Sequence, residues 1–188
     1  VPRYSRDLPG VNFEILGISN TKPGERPAVA LKITDKQGIP IETSQMNSLS
    51  LLISGPNTDY ASYWRENALS TPSQNGMLTY TFQQAIPTNA KGSYSVAVEG
   101  YRLIKLLPGT TSEVEVRDAG YNKILPFAVT DSSPVARRSV IATANCNSCH
   151  GTLAKHGSQR LNVEYCQFCH NANATDAEDR PADQLPGQ

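Results

Sequence analysis

Apolar and polar residues alternate with a period of two along most of the stretch from Val11 to Val129. This pattern is typical of β-strands that bury one face and expose the other. The alternating apolar positions form seven groups: Val11, Phe13 and Ile15; Val29, Leu31 and Ile33; Leu49, Leu51 and Ile53; Leu78, Tyr80 and Phe82; Tyr94, Val96 and Val98; Val114 and Val116; and Leu125, Phe127 and Val129. Turn-forming residues separate several of the groups. The pattern predicts an antiparallel β-sandwich or barrel built of half-buried strands.

The composition changes at Asp131–Pro134, where the strand pattern ends. We therefore predict two units: a β domain over residues 1–132 and a second segment over residues 133–188. The second segment ends in a polar stretch after His170, which we expect to be mobile or to dock on another surface.

Charge and hydropathy limit the classes of partner. The 17 basic and 17 acidic residues cancel, and no long block of one sign occurs. This balance argues against a nucleic acid or an anionic membrane as a partner. The apolar runs are far shorter than the roughly 20 residues of a membrane-spanning helix, so we predict no transmembrane segment. The chain begins at Val1 without an apolar leader, and we expect that an export signal has already been removed.

Residues 146–170, CNSCHGTLAKHGSQRLNVEYCQFCH, contain all four cysteines and all three histidines of the chain. They form two Cys-x-x-Cys-His motifs, the attachment signature of c-type haem, in which both thiols bind the haem vinyl groups and the histidine binds the iron. The first motif is Cys146, Cys149 and His150, and the second is Cys166, Cys169 and His170. The sequence therefore predicts two covalently attached haems.

Two other interpretations of the cysteines stay open. Sixteen residues separate Cys149 from Cys166, a spacing that also suits a four-thiolate zinc site. Such a site has no use for a histidine directly after each pair, and this favours haem. A pair of disulfides is the third interpretation.

The motifs and their surroundings resemble the OmcA/MtrC family of outer-membrane multihaem cytochromes. The likeness rests on FAVTD before the linker, CNSCHGTLAKHG and YCQFCHNANATD around the two motifs, and KGSYSVAVEGYR in the β region. It implies a split β-barrel domain that leads into a haem segment, electron transfer at the cell surface or outside the cell, and mainly bis-histidine haems. Family members usually continue into further haem motifs.

The number of histidines is too small for two bis-histidine haems, which need four axial ligands where the chain has three histidines. His156 lies in an L-x-x-H-G stretch whose family counterpart implies a distal ligand. It lies only six positions after His150, and the chain would have to pass around the haem edge to reach the opposite face. It lies fourteen positions before His170, which is enough for the chain to fold back. We therefore predict that His150 and His170 are proximal ligands and that His156 is the distal ligand of the second haem.

The first haem then lacks a sixth ligand. The candidates are Met46, Met77, the Val1 amine, a weak or absent ligand, and a histidine from a partner or from a segment downstream of this chain; we favour the downstream segment. Further copies of the chain do not solve the shortage with histidine, because each copy gives and receives the same number.

These observations predict a dihaem electron carrier rather than an enzyme. Its expected partners are other multihaem cytochromes or further copies of itself, and extracellular electron acceptors. Its expected location is the cell surface, the exterior or the periplasm. Two alternatives remain: a haem enzyme or small-ligand sensor with an open axial position, and a binding module whose β domain recognises polysaccharide or mineral.

Two further groups of residues allow a structural and a functional interpretation. Tyr60, Tyr63 and Trp64, in a predicted loop, either form a docking patch or cap the core, and we favour the core. Arg137 and Arg138 either pair with haem propionates or form a solvated pair.

Overall fold

The computed structural model describes residues 8–173. Within this range the strands are β1 (Asn12–Ser19), β2 (Ala28–Thr34), β3 (Ser48–Gly55), β4 (Ser62–Asn67), β5 (Met77–Thr81), β6 (Ser93–Leu106), β7 (Val114–Ala119) and β8 (Lys123–Ala128). A 3-10 turn spans Thr43–Gln45, and the helices are α1 (Thr143–His150) and α2 (Val163–Cys166). The Val1 amine and the part of the polar tail after Asn173 lie outside the described residues.

The strands form two antiparallel sheets. One has the order β1-β2-β5, and the other has the order β4-β3-β6 with β7 and β8 both paired to the far edge of β6. The facing sides of the sheets share one core, to which Phe13 and Leu31 contribute from the first sheet and Leu51 and Val96 from the second. The mainly antiparallel β fold followed by short helices is therefore confirmed. None of the helices in the described range is long and apolar enough to cross a membrane.

The strand β6 organises the second sheet, because its two halves have different partners on one side. Its first half pairs with β8 and its second half pairs with β7. The strands β7 and β8 therefore lie end to end, separated by a break at residues 120–122. At this break a Cβ on Gly120 would lie 2.1 Å from the Phe13 ring, so only glycine fits there.

The prediction of half-buried strands is wrong for β3 and for the first half of β6, which are buried on both faces. Their inner side chains enter the shared core. Their outer side chains Leu52 and Ala97 belong to a second apolar cluster with Tyr60, Tyr165 and Phe168. Tyr165 and Phe168 come from the segment that carries the second haem motif, so this segment covers the outer face of the sheet.

The strand β4 was not predicted, and the assignment of its aromatic residues to a loop is wrong. Trp64 is buried in the main core and Tyr60 in the second cluster, as the structural interpretation expects. Tyr63 is 46% exposed. The strand escapes the alternation rule because Trp64 is its only buried residue.

Candidate haem-binding segment

The first Cys-x-x-Cys-His motif lies entirely within α1. Cys146 and Cys149 are one helical turn apart and therefore share a face, and His150 is the last helical residue. The helix ends at Gly151, whose φ of +66° favours glycine. Cys149 and His150 are exposed, and Cys146 is half-buried. The motif thus presents both thiols and an imidazole at the surface.

The second motif begins where α2 ends. Asn162 caps this helix, since its side chain accepts a hydrogen bond of 2.7 Å from the Tyr165 N–H. The chain then turns, and the His170 N–H donates to the Cys166 carbonyl at 2.9 Å. Phe168, between the two cysteines, is fully buried, with its ring centroid 5.0 Å from that of Tyr60. This anchor fixes the motif on the β domain. Burial also raises the pKa of the Cys166 thiol.

The structure brings His156 and His170 together. Their ring centroids are 6.1 Å apart and their planes differ by 35°. Two imidazoles bound to opposite faces of one metal ion would place their centroids about 6 Å apart, because each nitrogen lies about 2 Å from the metal and its ring centre roughly 1 Å further. Burial, Arg160 and His170 lower the pKa of His156, which favours the neutral imidazole that a metal ligand requires. Among the described residues, no ring contact joins His150 to either of the other histidines.

The two motifs are connected through Thr143, the first residue of α1. Its buried hydroxyl accepts a hydrogen bond of 2.9 Å from the Val163 N–H, at the start of α2. The same hydroxyl donates to the Glu164 carboxylate at 3.2 Å. The first turns of the two helices are therefore held against each other.

His156 lies in a tight turn, Lys155–Arg160, which we call the His156 turn. A pair of backbone hydrogen bonds between Lys155 and Arg160, of 3.0 and 3.3 Å, closes it. His156, Gly157 and Ser158 have φ values of +51°, +73° and +74°. Positive φ is uncommon for residues other than glycine, so the backbone of this turn is strained.

Two side chains of the β domain form hydrogen bonds with the His156 turn. Glu99 on β6 is completely buried, and its Oε2 accepts from the Arg160 Nε at 2.8 Å. Arg117 on β7 donates through Nη1 to the Gly157 carbonyl at 2.8 Å. Sequence reasoning did not single out either residue; the only signal was an acidic residue in an otherwise apolar strand segment.

Asn122 lies in the break between β7 and β8 and binds the chain at residues 159–162. Its Nδ2 donates to the carbonyls of Val98, at 3.2 Å, and Gln159, at 3.1 Å. Its Oδ1 accepts from the Leu161 N–H at 2.8 Å. Asn162 donates in turn to the Asn122 backbone carbonyl at 2.9 Å. The break in the edge strand is thus the attachment point for the chain that follows the His156 turn.

The alternative interpretations of the cysteines have no geometric support. The four cysteines are unpaired, so no disulfide is present. Across residues 8–173, no three Cys, His, Asp or Glu side chains converge as metal ligands. The cysteines are therefore not gathered as a four-thiolate zinc site requires.

The proposed sixth ligands and the paired arginines have the following positions. Met46 packs in the main core, and Met77 lies on β5, in the sheet that does not contact the second haem motif.

Arg137 donates to the Asp59 carboxylate at 2.8 Å and lies 4.6 Å from the Tyr60 ring centroid, so its charge is already paired. Arg138 lines two cavities beside the linker, of about 300 and 480 Å³.

Parts of the chain are similar in sequence to known outer-membrane cytochromes. Residues 138–186 match the family described as outer membrane cytochrome MtrC/MtrF-like, domains II/IV. The multiheme cytochrome MtrC of Shewanella baltica (strain OS185) is 34% identical over 102 residues, which are 53% of this chain. The chain spans 16% of the length of that relative.

Two solved structures share the fold. The crystal structure of MtrC from Shewanella baltica OS185 superposes with a TM-score of 0.61 at 24% identity, over 86% of this chain and 30% of that chain. The outer membrane decaheme cytochrome OmcA gives a TM-score of 0.60 at 15% identity, over 92% of this chain and 31% of that chain. These likenesses concern the fold, which here includes both the β domain and the haem segment. The two sequence matches show that this part of the chain is similar to the outer-membrane multihaem cytochromes of the OmcA/MtrC family.

Proposed function

We propose that residues 133–188 form a dihaem electron-transfer segment supported by the β domain, residues 1–132. The observation that carries this proposal is the pairing of His156 with His170, the histidine of the second Cys-x-x-Cys-His motif, at a centroid distance of 6.1 Å. A six-coordinate bis-histidine iron suits outer-sphere electron transfer, because neither axial position is left for a substrate.

Each residue of the segment has a distinct role in this proposal. In the haem-loaded chain the four cysteines would retain the haems covalently, and His150 and His170 would supply the proximal nitrogens. His156 would supply the distal nitrogen for the second haem. The haems, when bound, supply one-electron redox chemistry. The chain sets their spacing through Thr143, which ties the first turns of the two motif helices together.

The first haem has no second histidine within the chain, because all three are used. We propose that a histidine from outside this chain, either downstream or on a partner cytochrome, completes it. The same shortage supports a second candidate function, a haem enzyme or sensor that binds a small molecule at the open position. The two candidates differ in whether the position stays open in the natural assembly.

The similarity to outer-membrane cytochromes supports a proposal for the location and the partners of the protein. We propose an exported protein at the cell surface that passes electrons to other multihaem cytochromes and to extracellular acceptors.

Mass and spectroscopy of the His156→Ala variant test this function. The intact mass of the denatured chain should exceed that of the polypeptide by two haems, in the wild type and in the variant, because attachment uses the cysteines. The variant should convert one haem from low spin to high spin, because it loses a distal nitrogen. Lys155→Ala, an exposed neighbour in the same turn, is the matched control and should keep the wild-type spectrum.

Two outcomes would contradict the proposal. A bare polypeptide mass with one bound zinc and no iron would restore the zinc site. An unchanged spin state in His156→Ala would mean that His156 is not a ligand.

A further inference from the structure

The carboxylate of Glu99 is the most deeply placed charge near the haem segment. It is completely buried on β6, within a sheet whose outer face is covered by Tyr165 and Phe168. A buried carboxylate is costly unless charged partners satisfy both oxygens. Glu99 has such partners: Arg65 lies 2.8 Å from one oxygen and Arg160 lies 2.8 Å from the other.

The two arginines come from different parts of the fold. Arg65 is on β4, and its side chain is 41% exposed. Arg160 closes the His156 turn, and its side chain is 18% exposed. The Glu99 carboxylate therefore connects the centre of the sheet to the turn that carries the distal histidine. Of the two ion pairs to Glu99, only the one with Arg160 restrains that turn.

Two more contacts point to the same turn. Arg117 binds the Gly157 carbonyl, next to His156, and Asn122 binds the Gln159 carbonyl and the Leu161 N–H. The β domain thus holds the turn at three successive places along the chain. A turn with three consecutive residues at positive φ persists only where its surroundings fix it.

We propose that Glu99, acting through Arg160, is a positioning residue for the axial ligation of the second haem. This inference rests on the proposed function, since it takes His156 to be the distal ligand. The β domain then does more than support the haem segment: its buried carboxylate keeps His156 opposite His170. Arg117 and Asn122 complete the restraint.

Paired arginine substitutions test this role. Arg160→Gln and Arg65→Gln each remove one ion pair from the same carboxylate, but only the first frees the His156 turn. In the haem-loaded chain, Arg160→Gln should weaken His156 ligation about tenfold, as expected for the loss of one charge-assisted hydrogen bond while Arg65 still pairs with Glu99. Carbon monoxide must displace His156 to bind the reduced second haem, so its half-saturating concentration there should fall about tenfold. Arg65→Gln should leave that concentration unchanged.

Two further measurements separate positioning from general stability. Hydrogen exchange of the Arg160 and Leu161 amides should accelerate in Arg160→Gln and not in Arg65→Gln. Arg160→Lys, which keeps the charge, should recover part of the ligation. Equal effects of Arg160→Gln and Arg65→Gln on carbon monoxide binding, or no effect of either, would overturn the inference.

His156→Ala distinguishes this failure from failure of the proposed function. If His156→Ala changes the spin state and Arg160→Gln does not change ligation, the inference alone is wrong. If His156→Ala changes nothing, the ligand assignment fails and the positioning role fails with it.

Discussion

Glu66 shows how one side chain joins the edges of the two sheets. It lies on β4, yet its carboxylate accepts hydrogen bonds from the Tyr80 hydroxyl on β5, at 2.7 Å, and from the Gln83 and Gln84 N–H groups, at 2.8 and 2.9 Å. No backbone ladder joins the two sheets within residues 8–173, so Glu66 links β4 to β5 through its side chain. The Tyr80 phenol is therefore both half-buried and hydrogen-bonded to a carboxylate.

This environment predicts a stability change at alkaline pH. Burial, with the bond and charge of Glu66, raises the pKa of Tyr80 to about 12, against about 10 in an unfolded chain. The unfolded chain loses this proton first as pH rises, so the contribution of Tyr80 to stability is complete below about pH 10 and is lost between about 10 and 12. Denaturant unfolding at several pH values should show a smaller loss across this window in Tyr80→Phe than in the wild type. Tyr121→Phe, which removes an exposed phenol, is the control; equal losses in both variants would contradict the assignment.

The His156 turn makes a prediction about local structure. Gly157 has a φ of +73°, and a Cβ there would lie 1.8 Å from Arg117 Nη1. Gly157→Ala should therefore lower the stability of the chain for two reasons. The backbone strain costs about 1 kcal/mol, and the added methyl group displaces Arg117. Gly38→Ala is the matched control, because Gly38 has a φ of +82° and a Cβ added there would meet no atom within 4 Å.

Equilibrium unfolding in denaturant measures both variants. Gly38→Ala should show the strain alone, and Gly157→Ala should show a larger loss and a higher high-spin fraction of the second haem. Identical losses with an unchanged spectrum would mean that the Arg117 contact does not hold the turn.

Most of the strands could be predicted from the sequence because alternation is a local pattern, and it placed seven of them. The motif spacing is also local, and it identified the cysteines and two histidines as candidate haem-binding residues. The strand β4 was missed because it is an edge strand with one buried side chain. The burial of β3 on both faces was missed because the segment that covers its outer face lies more than 100 residues away.

The restraints on the His156 turn could not be predicted for the same reason. Glu99 and Arg160 are 61 residues apart, and Asn122 and Leu161 are 39 apart. Neither pair forms a motif. The proximity of His156 to His170 was expected from the chain length between them, since a 14-residue separation allows the chain to fold back; which contacts hold it there required the structure.

At the level of the whole molecule, the number of histidines decides between a conduit and an enzyme. In the proposed assignment three histidines fill three axial positions, whereas two haems have four. In the isolated 188-residue chain we therefore expect one low-spin bis-histidine haem and one haem that binds carbon monoxide when reduced, at about one site per two haems. Added imidazole should compete for that site. Joining the downstream segment, or adding a partner cytochrome with a free histidine, should make both haems low-spin and remove this open site, so that carbon monoxide binds only where it displaces a histidine. If carbon monoxide binds in that assembly with the same affinity and stoichiometry as in the isolated chain, and peroxide or nitrite turns over there, the open position is functional and the conduit is wrong. If neither haem binds carbon monoxide in the isolated chain, a ligand within the chain fills the position and no outside histidine is needed.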